Sequence, residues 1–256
     1  MRKHLLLTPV AVFFLAISGC GYSVFDAAED VSHMGYSDLD DGEPITAQTV
    51  EVAAFDGLGA LGPDKVVFTT GQAYSIRAEA PADVLSHLRY RMKDGSIQVG
   101  RQNGSWKDKG AATIYVTAPS LRSVSAAGSG PIEADRMTGP SVDISVAGSG
   151  TVRVAEVQTD KLDASMAGSG GMILAGQAKS SDFSVAGSGD IDAGRMMTDA
   201  SDVSIAGSGN VKLRSDGMVD AAIMGSGDVD VVGNARCKLS SMGSGKLHCG
   251  NPSSPS

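Results

Sequence analysis

From about residue 121 onward, apolar and polar side chains alternate in blocks, and each block breaks at the same kind of triplet. Two positions before the break stand Ala126, Val146, Met166, Val185, Ile205, Ile223 and Ser241. Four before it stand Val124, Ile144, Ala164, Phe183, Val203, Ala221 and Leu239. Between those columns lie Ser125, Ser145, Ser165, Ser184, Ser204, Ala222 and Ser240. Past the break the alternation resumes. One apolar column runs Ile132, Val152, Met172, Ile191, Val211, Val229, Leu247, and the next Ala134, Val154, Leu174, Ala193, Leu213, Val231, Cys249. Period-two alternation is the pattern of a half-buried strand. Each block therefore predicts a strand, a corner, a second strand and a return of variable sequence.

The corner is Gly-Ser-Gly, seven times over. The triplets begin and end at Gly128 and Gly130, Gly148 and Gly150, Gly168 and Gly170, Gly187 and Gly189, Gly207 and Gly209, Gly225 and Gly227, and Gly243 and Gly245. A recurrence at 18–20 residues marks a repeat architecture. One unit cannot bury its own apolar side, but units stacked at about 4.8 Å per coil make a continuous interior. The predicted fold is all-β, a right-handed parallel β-helix with coils of about 18–20 residues. Glycine suits corners with positive φ or closely passing backbones. A hairpin array would need a second fixed turn in each unit, and none recurs.

Residues 45–120 are β-rich but outside this register. Expected strands are Thr49–Ala53, Lys65–Thr70, Tyr74–Ala80, Leu88–Arg91, Ser96–Arg101 and Thr113–Thr117, with a tight turn at Asp94-Gly95 and one helical turn within Pro81–His87. They read as irregular first coils and an N-terminal cap on one domain spanning 45–250, because an open sheet edge invites aggregation. The shortened final repeats, with Met224 and Met242 before their glycines, read as the opposite cap. Residues 251–256 read as a disordered tail.

Arg2, Lys3 and His4 precede a largely apolar run, Leu5 to Ile17, too short to span a bilayer. It ends Ile17-Ser18-Gly19-Cys20, which resembles a bacterial lipobox. That resemblance implies cleavage of residues 1–19, acylation of Cys20, and membrane attachment through it; each buried methylene adds roughly 0.8 kcal/mol. Gly21 rather than Asp after the cysteine implies, by likeness to Gram-negative sorting, the outer membrane. Residues 20–44, rich in Asp and Glu, read as a flexible acidic tether. The whole chain carries a formal charge of -8 and shows no basic stripe, which argues against nucleic acid as partner. Export also brings an oxidising compartment. Cys237 and Cys249 are then candidates for a disulfide pinning the last coil, with free buried thiols as the alternative.

Val52-Ala53-Ala54-Phe55-Asp56-Gly57-Leu58, the strand pair around Asp94-Gly95-Ser96-Ile97 and the serial Ala-Gly-Ser-Gly corners together resemble the bacterial head GIN domain family of auto-transporter adhesin head domains. The Cys237 to Cys249 ending is similar to that of proteobacterial members. The resemblance covers roughly residues 45–250. It implies a β-helix of the cell envelope without established catalytic residues.

Candidate chemistry is sparse. His33, His87 and His248 show no zinc-ligand spacing, and a serine repeated in seven equal settings is not an activated nucleophile. Gly189-Asp190-Ile191-Asp192 and Gly227-Asp228-Val229-Asp230 are similar to calcium-binding turns, but Pro131, Thr151, Gly171, Asn210 and Lys246 interrupt the column. No metal or cofactor is expected. The serine column could present hydroxyls to a carbohydrate, and Arg153, Asp192, Lys212 and Asp230 could line a groove of a polysaccharide-acting enzyme. The leading expectation is a non-catalytic, adhesin-like module for a protein or glycan partner. The alternatives are a purely structural envelope lipoprotein and, less favoured, that enzyme.

Overall fold

The computed structural model describes residues 39–103 and 110–250. The leader, Cys20, most of the acidic tether with His33, and the 251–256 tail lie outside the described residues. The chain enters through β1 (Glu43–Pro44), β2 (Val50–Glu51), β3 (Gly57–Gly62), β4 (Lys65–Thr70) and β5 (Ser75–Glu79). A single helical turn, α1 (Ala82–Leu85), follows Pro81, whose carbonyl accepts the Leu85 N–H. Then come β6 (Leu88–Lys93), β7 (Ser96–Arg101), β8 (Thr113–Ala118) and β9 (Ser123–Gly128). The expected strands appear, some of them shorter. The helical turn appears as well.

Beyond β9 each coil is almost entirely strand: β10 (Ile132–Gly148), β11 (Thr151–Gly168), β12 (Gly171–Gly187), β13 (Asp190–Gly207) and β14 (Val211–Gly225). The last is split into β15 (Val229–Val232), β16 (Arg236–Gly243) and β17 (Leu247–Cys249). Successive coils pair parallel and in register, giving a β-solenoid of about six turns. The variable return of each repeat is thus also strand, wrapped round a second bend.

The interior is the stack that the alternation predicts. Ile144, Ala164, Phe183, Val203, Ala221 and Leu239 are register partners in one row, and all but Leu239 are buried. The return supplies a further row, Val142, Leu162, Ser181, Ser201 and Val219, also buried. Its hydroxyls satisfy one another: Ser181 and Ser201 lie 2.9 Å apart, and Thr198 lies 2.7 Å from Ser201.

The seven corners share one geometry. The first glycine of every triplet has a positive φ between 121° and 138°. Its carbonyl accepts the N–H of the serine one coil on, as in Ser169→Gly148 at 2.9 Å. The second glycine has an ordinary φ and is required for another reason. A Cβ on Gly150 would lie 2.7 Å from the Gly130 carbonyl oxygen, and one on Gly209 only 2.1 Å from that of Gly189.

The N-terminal region is more integrated than its sequence suggests. β3 pairs with β7 on one side and β9 on the other, and β4 sits likewise between β8 and β10. The first rung of the chain is therefore the second rung of the stack. Gly62, with φ +107°, forms an eighth corner beneath Gly128. Asp64 takes the place that Gly130 fills one coil up, and its buried carboxylate binds Arg101 at 2.6 and 2.5 Å and the Ala112 N–H at 2.9 Å. β1, β2, β5 and β6 pair antiparallel and close this end. Leu39 is buried and Glu43–Pro44 pair with β6, so the folded part begins before residue 45 and takes in the end of the expected tether.

The other end differs from expectation. The last coil keeps the register, yet nothing among the described residues covers it. Leu239, on the inward row, is 41 % exposed, and Cys249, expected inside, is exposed in the same way. Cys237 and Cys249 form the disulfide, joining two inward rows across the mouth of the interior. Arg236 and Lys238 put charge on the open edge, a common guard against strand addition.

Candidate functional site

The outward side chains of the repeats fall into three regions. The first is a flat face just before the corners. Its serine column, Ser125 to Ser204, is part-exposed and in register, with Ser145 and Ser165 hydroxyls 3.1 Å apart. Two residues earlier runs a row that the sequence reading did not single out: Asp143, Asp163, Asp182, Asp202 and Asp220, bounded by Ser123 and Lys238. The signal was present as an aspartate five places before the first glycine in five successive repeats. Burial pushes the Asp182 carboxyl above its ordinary range, and the flanking charges of Asp163 and Asp202 push the same way. Lys161 pairs with Asp163 at 2.9 Å, while Oδ1 of Asp220 is buried without a hydrogen-bond partner. Among the described residues no three acids, cysteines or histidines converge to hold a metal ion.

The second region follows the corners. Asp190, Asn210, Asp228 and Lys246, the column with calcium-like spacing, form a hydrogen-bonded ladder. Asp190 Oδ1 accepts the Asn210 N–H at 3.0 Å, Asn210 Oδ1 that of Asp228 at 3.1 Å, and Asp228 Oδ1 that of Lys246 at 2.8 Å. These side chains hold coil to coil. The neighbouring row Asp192, Lys212, Asp230 and His248 is in register, as expected. Two of its carboxylates are engaged locally: Asp192 with the Gly194 N–H at 3.0 Å and Asp230 with His248 at 2.9 Å. The row is an exposed charged surface.

The third region is a trough of about 680 Å³ along the second bend. Its floor is Gly139, Thr159 and Ala178, small residues in register across three coils. One wall is Thr138, Gln158, Gln177 and Met197, again in register. The other is Pro140, Asp160, Lys179 and Asp199, one from each coil. The depression has a structural cause. The coil holding Ala178 is one residue shorter than its neighbours, and the register slips between Val154 and Val157 to absorb this. Gly176 takes the tight turn with φ +128°, where a Cβ would lie 2.0 Å from the Val157 carbonyl oxygen. Lys179 binds Asp160 at 2.7 Å; that contact first, and then the charges of Asp160 and Asp199, raise its pKa and keep it protonated. Sequence reasoning missed the trough because no residue type recurs at this bend.

The fourteen corner glycines are all placed in the stack as described, and none lines the trough.

Several solved structures share the fold. A putative adhesin from Bacteroides fragilis is 22 % identical, with a TM-score of 0.71 over 78 % of this chain and 94 % of its own. A putative adhesin from Parabacteroides distasonis is 18 % identical, with a TM-score of 0.62 over 82 % and 98 %. A putative lipid binding protein from the same organism is 20 % identical, with a TM-score of 0.61 over 80 % and 96 %. No curated protein sequence matches this chain. The family profile described as "Putative auto-transporter adhesin, head GIN domain" matches residues 54–235, which takes in the inserted first rung and the repeats up to the last corner. This chain belongs to the head GIN domain family.

Proposed function

We propose that this chain is a non-catalytic binding module of the bacterial envelope, held to the membrane by acyl chains on Cys20 and facing a protein or glycan partner. The observation that carries the reading is the array of outward side chains in register on the flat face, on a family fold whose solved relatives include putative adhesins. Its repeated serines occupy corner tips and a flat column, where Ser184 donates to Asp182 Oδ1 at 3.3 Å. Residues 20–38 supply an acidic spacer between anchor and head. The lipid-binding relative suggests no separate ligand site here, because likeness at that identity carries the fold alone.

Metabolic labelling with an alkyne fatty acid tests the anchor. The wild-type chain takes up label and fractionates with outer membrane, while Cys20→Ser does neither. Equal labelling of both would overturn it. Protease treatment of intact cells then shows whether the head is cut from outside or protected in the periplasm.

A further inference from the structure

The trough at the second bend is a built site with a repeat of its own, and that repeat narrows what can lie in it. Three coils each contribute one wall residue, one small floor residue and one residue of the opposite wall, and the fourth contributes Met197 and Asp199 to the two walls. The positions, though not the residue types, therefore recur at strand spacing, about 4.8 Å. Four coils make the trough about 14 Å long. It runs along the solenoid axis, across the strands, so no free backbone edge is offered to an incoming strand. An extended peptide advances about 3.3 Å per residue and falls out of step with the walls within two coils. A chain of pyranose rings advances close to one coil per ring and stays in step.

The chemistry of the walls agrees. Gln158 and Gln177 are exposed, in register, and each offers a carbonyl acceptor and an NH2 donor, which suits vicinal hydroxyls. Asp160 and Asp199 accept further O–H donors, while Lys179 donates. Two carboxylates against one ammonium make the site mildly acidic, which disfavours uronic acids, phosphoglycans and nucleic acid. Pro140 at one end and Met197 at the other give short apolar patches for the C–H faces of terminal rings. Among the described residues no aromatic side chain lines the trough.

We propose that this trough binds a neutral oligosaccharide of about three rings, aligned with the solenoid axis, with Gln158 and Gln177 reading its hydroxyls and Asp160, Lys179 and Asp199 closing the opposite side. This deepens the binding-module reading and rests on it.

The test is calorimetric titration of the full chain in detergent with cellotetraose, chitotetraose, maltotetraose and tetragalacturonate. At least one neutral tetrasaccharide binds and the galacturonate does not. Replacing Gln158→Ala and Gln177→Ala together weakens binding at least tenfold, since each loses a neutral hydrogen-bonded contact. Both side chains are exposed, so the variant keeps the wild-type melting curve. Ser165→Lys, on the flat face, leaves the affinity unchanged. Failure of all three neutral sugars, preference for the galacturonate, or undiminished binding by the double glutamine variant overturns the trough assignment. Sugar binding abolished by Ser165→Lys alone instead moves the site to the flat face and keeps the module reading. The Cys20 labelling result bears on the anchor only, so the two readings fail separately.

Discussion

Replacing Gly168 by alanine should be among the most damaging single-methyl changes available in the repeats. Two costs add. The backbone there has φ +128°, which non-glycine residues adopt at about 1–3 kcal/mol. The new Cβ would also lie 2.3 Å from the Gly148 carbonyl oxygen, so the coils must part at the corner. Parting them loosens the Ser169→Gly148 and Ser188→Gly168 hydrogen bonds, both 2.9 Å, at about 1 kcal/mol each. The sum is about 3–5 kcal/mol. At about 2–4 °C per kcal/mol for a chain of this size, that lowers the melting temperature by roughly 10 °C. Two neighbours provide internal controls. Gly170 has an ordinary φ, but its Cβ would meet the Gly150 carbonyl oxygen at 2.3 Å, so alanine there carries the contact cost without the torsional one. Gly171 also has an ordinary φ, and its nearest neighbour is 3.7 Å away. Alanine at Gly171 should be neutral or stabilise by up to about 1 kcal/mol by restricting the unfolded chain. Thermal and urea unfolding should rank Gly168→Ala below Gly170→Ala and both below Gly171→Ala. A Gly168→Ala protein within about 0.5 kcal/mol of wild type would refute the argument, since that is the size of an ordinary surface substitution.

Three further outcomes are expected. Reducing the Cys237–Cys249 disulfide, which closes a separation of 12 residues, removes about 3 kcal/mol of constraint and frays the last coil, so amide exchange accelerates over 236–249 and not over 143–148. Asp64→Ala leaves Arg101 buried without its carboxylate and costs about 3–5 kcal/mol in urea unfolding; an unchanged midpoint would show the pair to be dispensable. Asp182 has a raised pKa in the folded chain, which therefore holds that proton more tightly than the unfolded chain does. Its contribution to stability declines as pH rises from the ordinary carboxylate value through the folded one. Asp182→Asn accordingly raises the unfolding midpoint at pH 7, and the gain disappears below the ordinary carboxylate range; a gain that persists there would contradict the sign.

The parts of this fold that were legible in its sequence are those where one residue type is physically compelled at every coil. Corner glycines answer to φ and to backbone contact, so no other residue substitutes, and the period shows. Inward columns answer to burial, so Ile144, Phe183 and Val203 could be aligned by spacing alone. Of the first rung, Lys65–Thr70 is legible as a strand, but β3 is not, because its partners are remote. Gly62 stacks beneath Gly128, 66 residues along, and Gly57-Leu58-Gly59-Ala60 lacks the serine-marked triplet. The second bend is irregular for a different reason. Each coil turns there with its own residues, Gly139-Pro140 in one, Gly176 in another, Asp216-Gly217 in a third, so no column forms in the sequence although one forms in space. The trough lies on that bend. The aspartate row is a column in the sequence too, but it lies further from the glycines than the apolar alternation that marks each corner. Cys249 was read as inward from its column, but a column gives direction only; shelter needs a further coil above it.

The placement of β3 and β4 between later strands bears on how the head carries load. A pull from the N-terminal side first opens the two-residue β1 and β2 and then reaches β3 and β4, gripped from both sides by parallel partners, so that tension running along these strands loads their hydrogen bonds together in shear. Had β3 and β4 formed the outermost rung, the same pull would have peeled those bonds one after another, like a zip. Traction from the N-terminal side that passes the cap thus meets the shear arrangement, while the unzipping geometry is left to the far end, where a covalent sulfur link takes over the task.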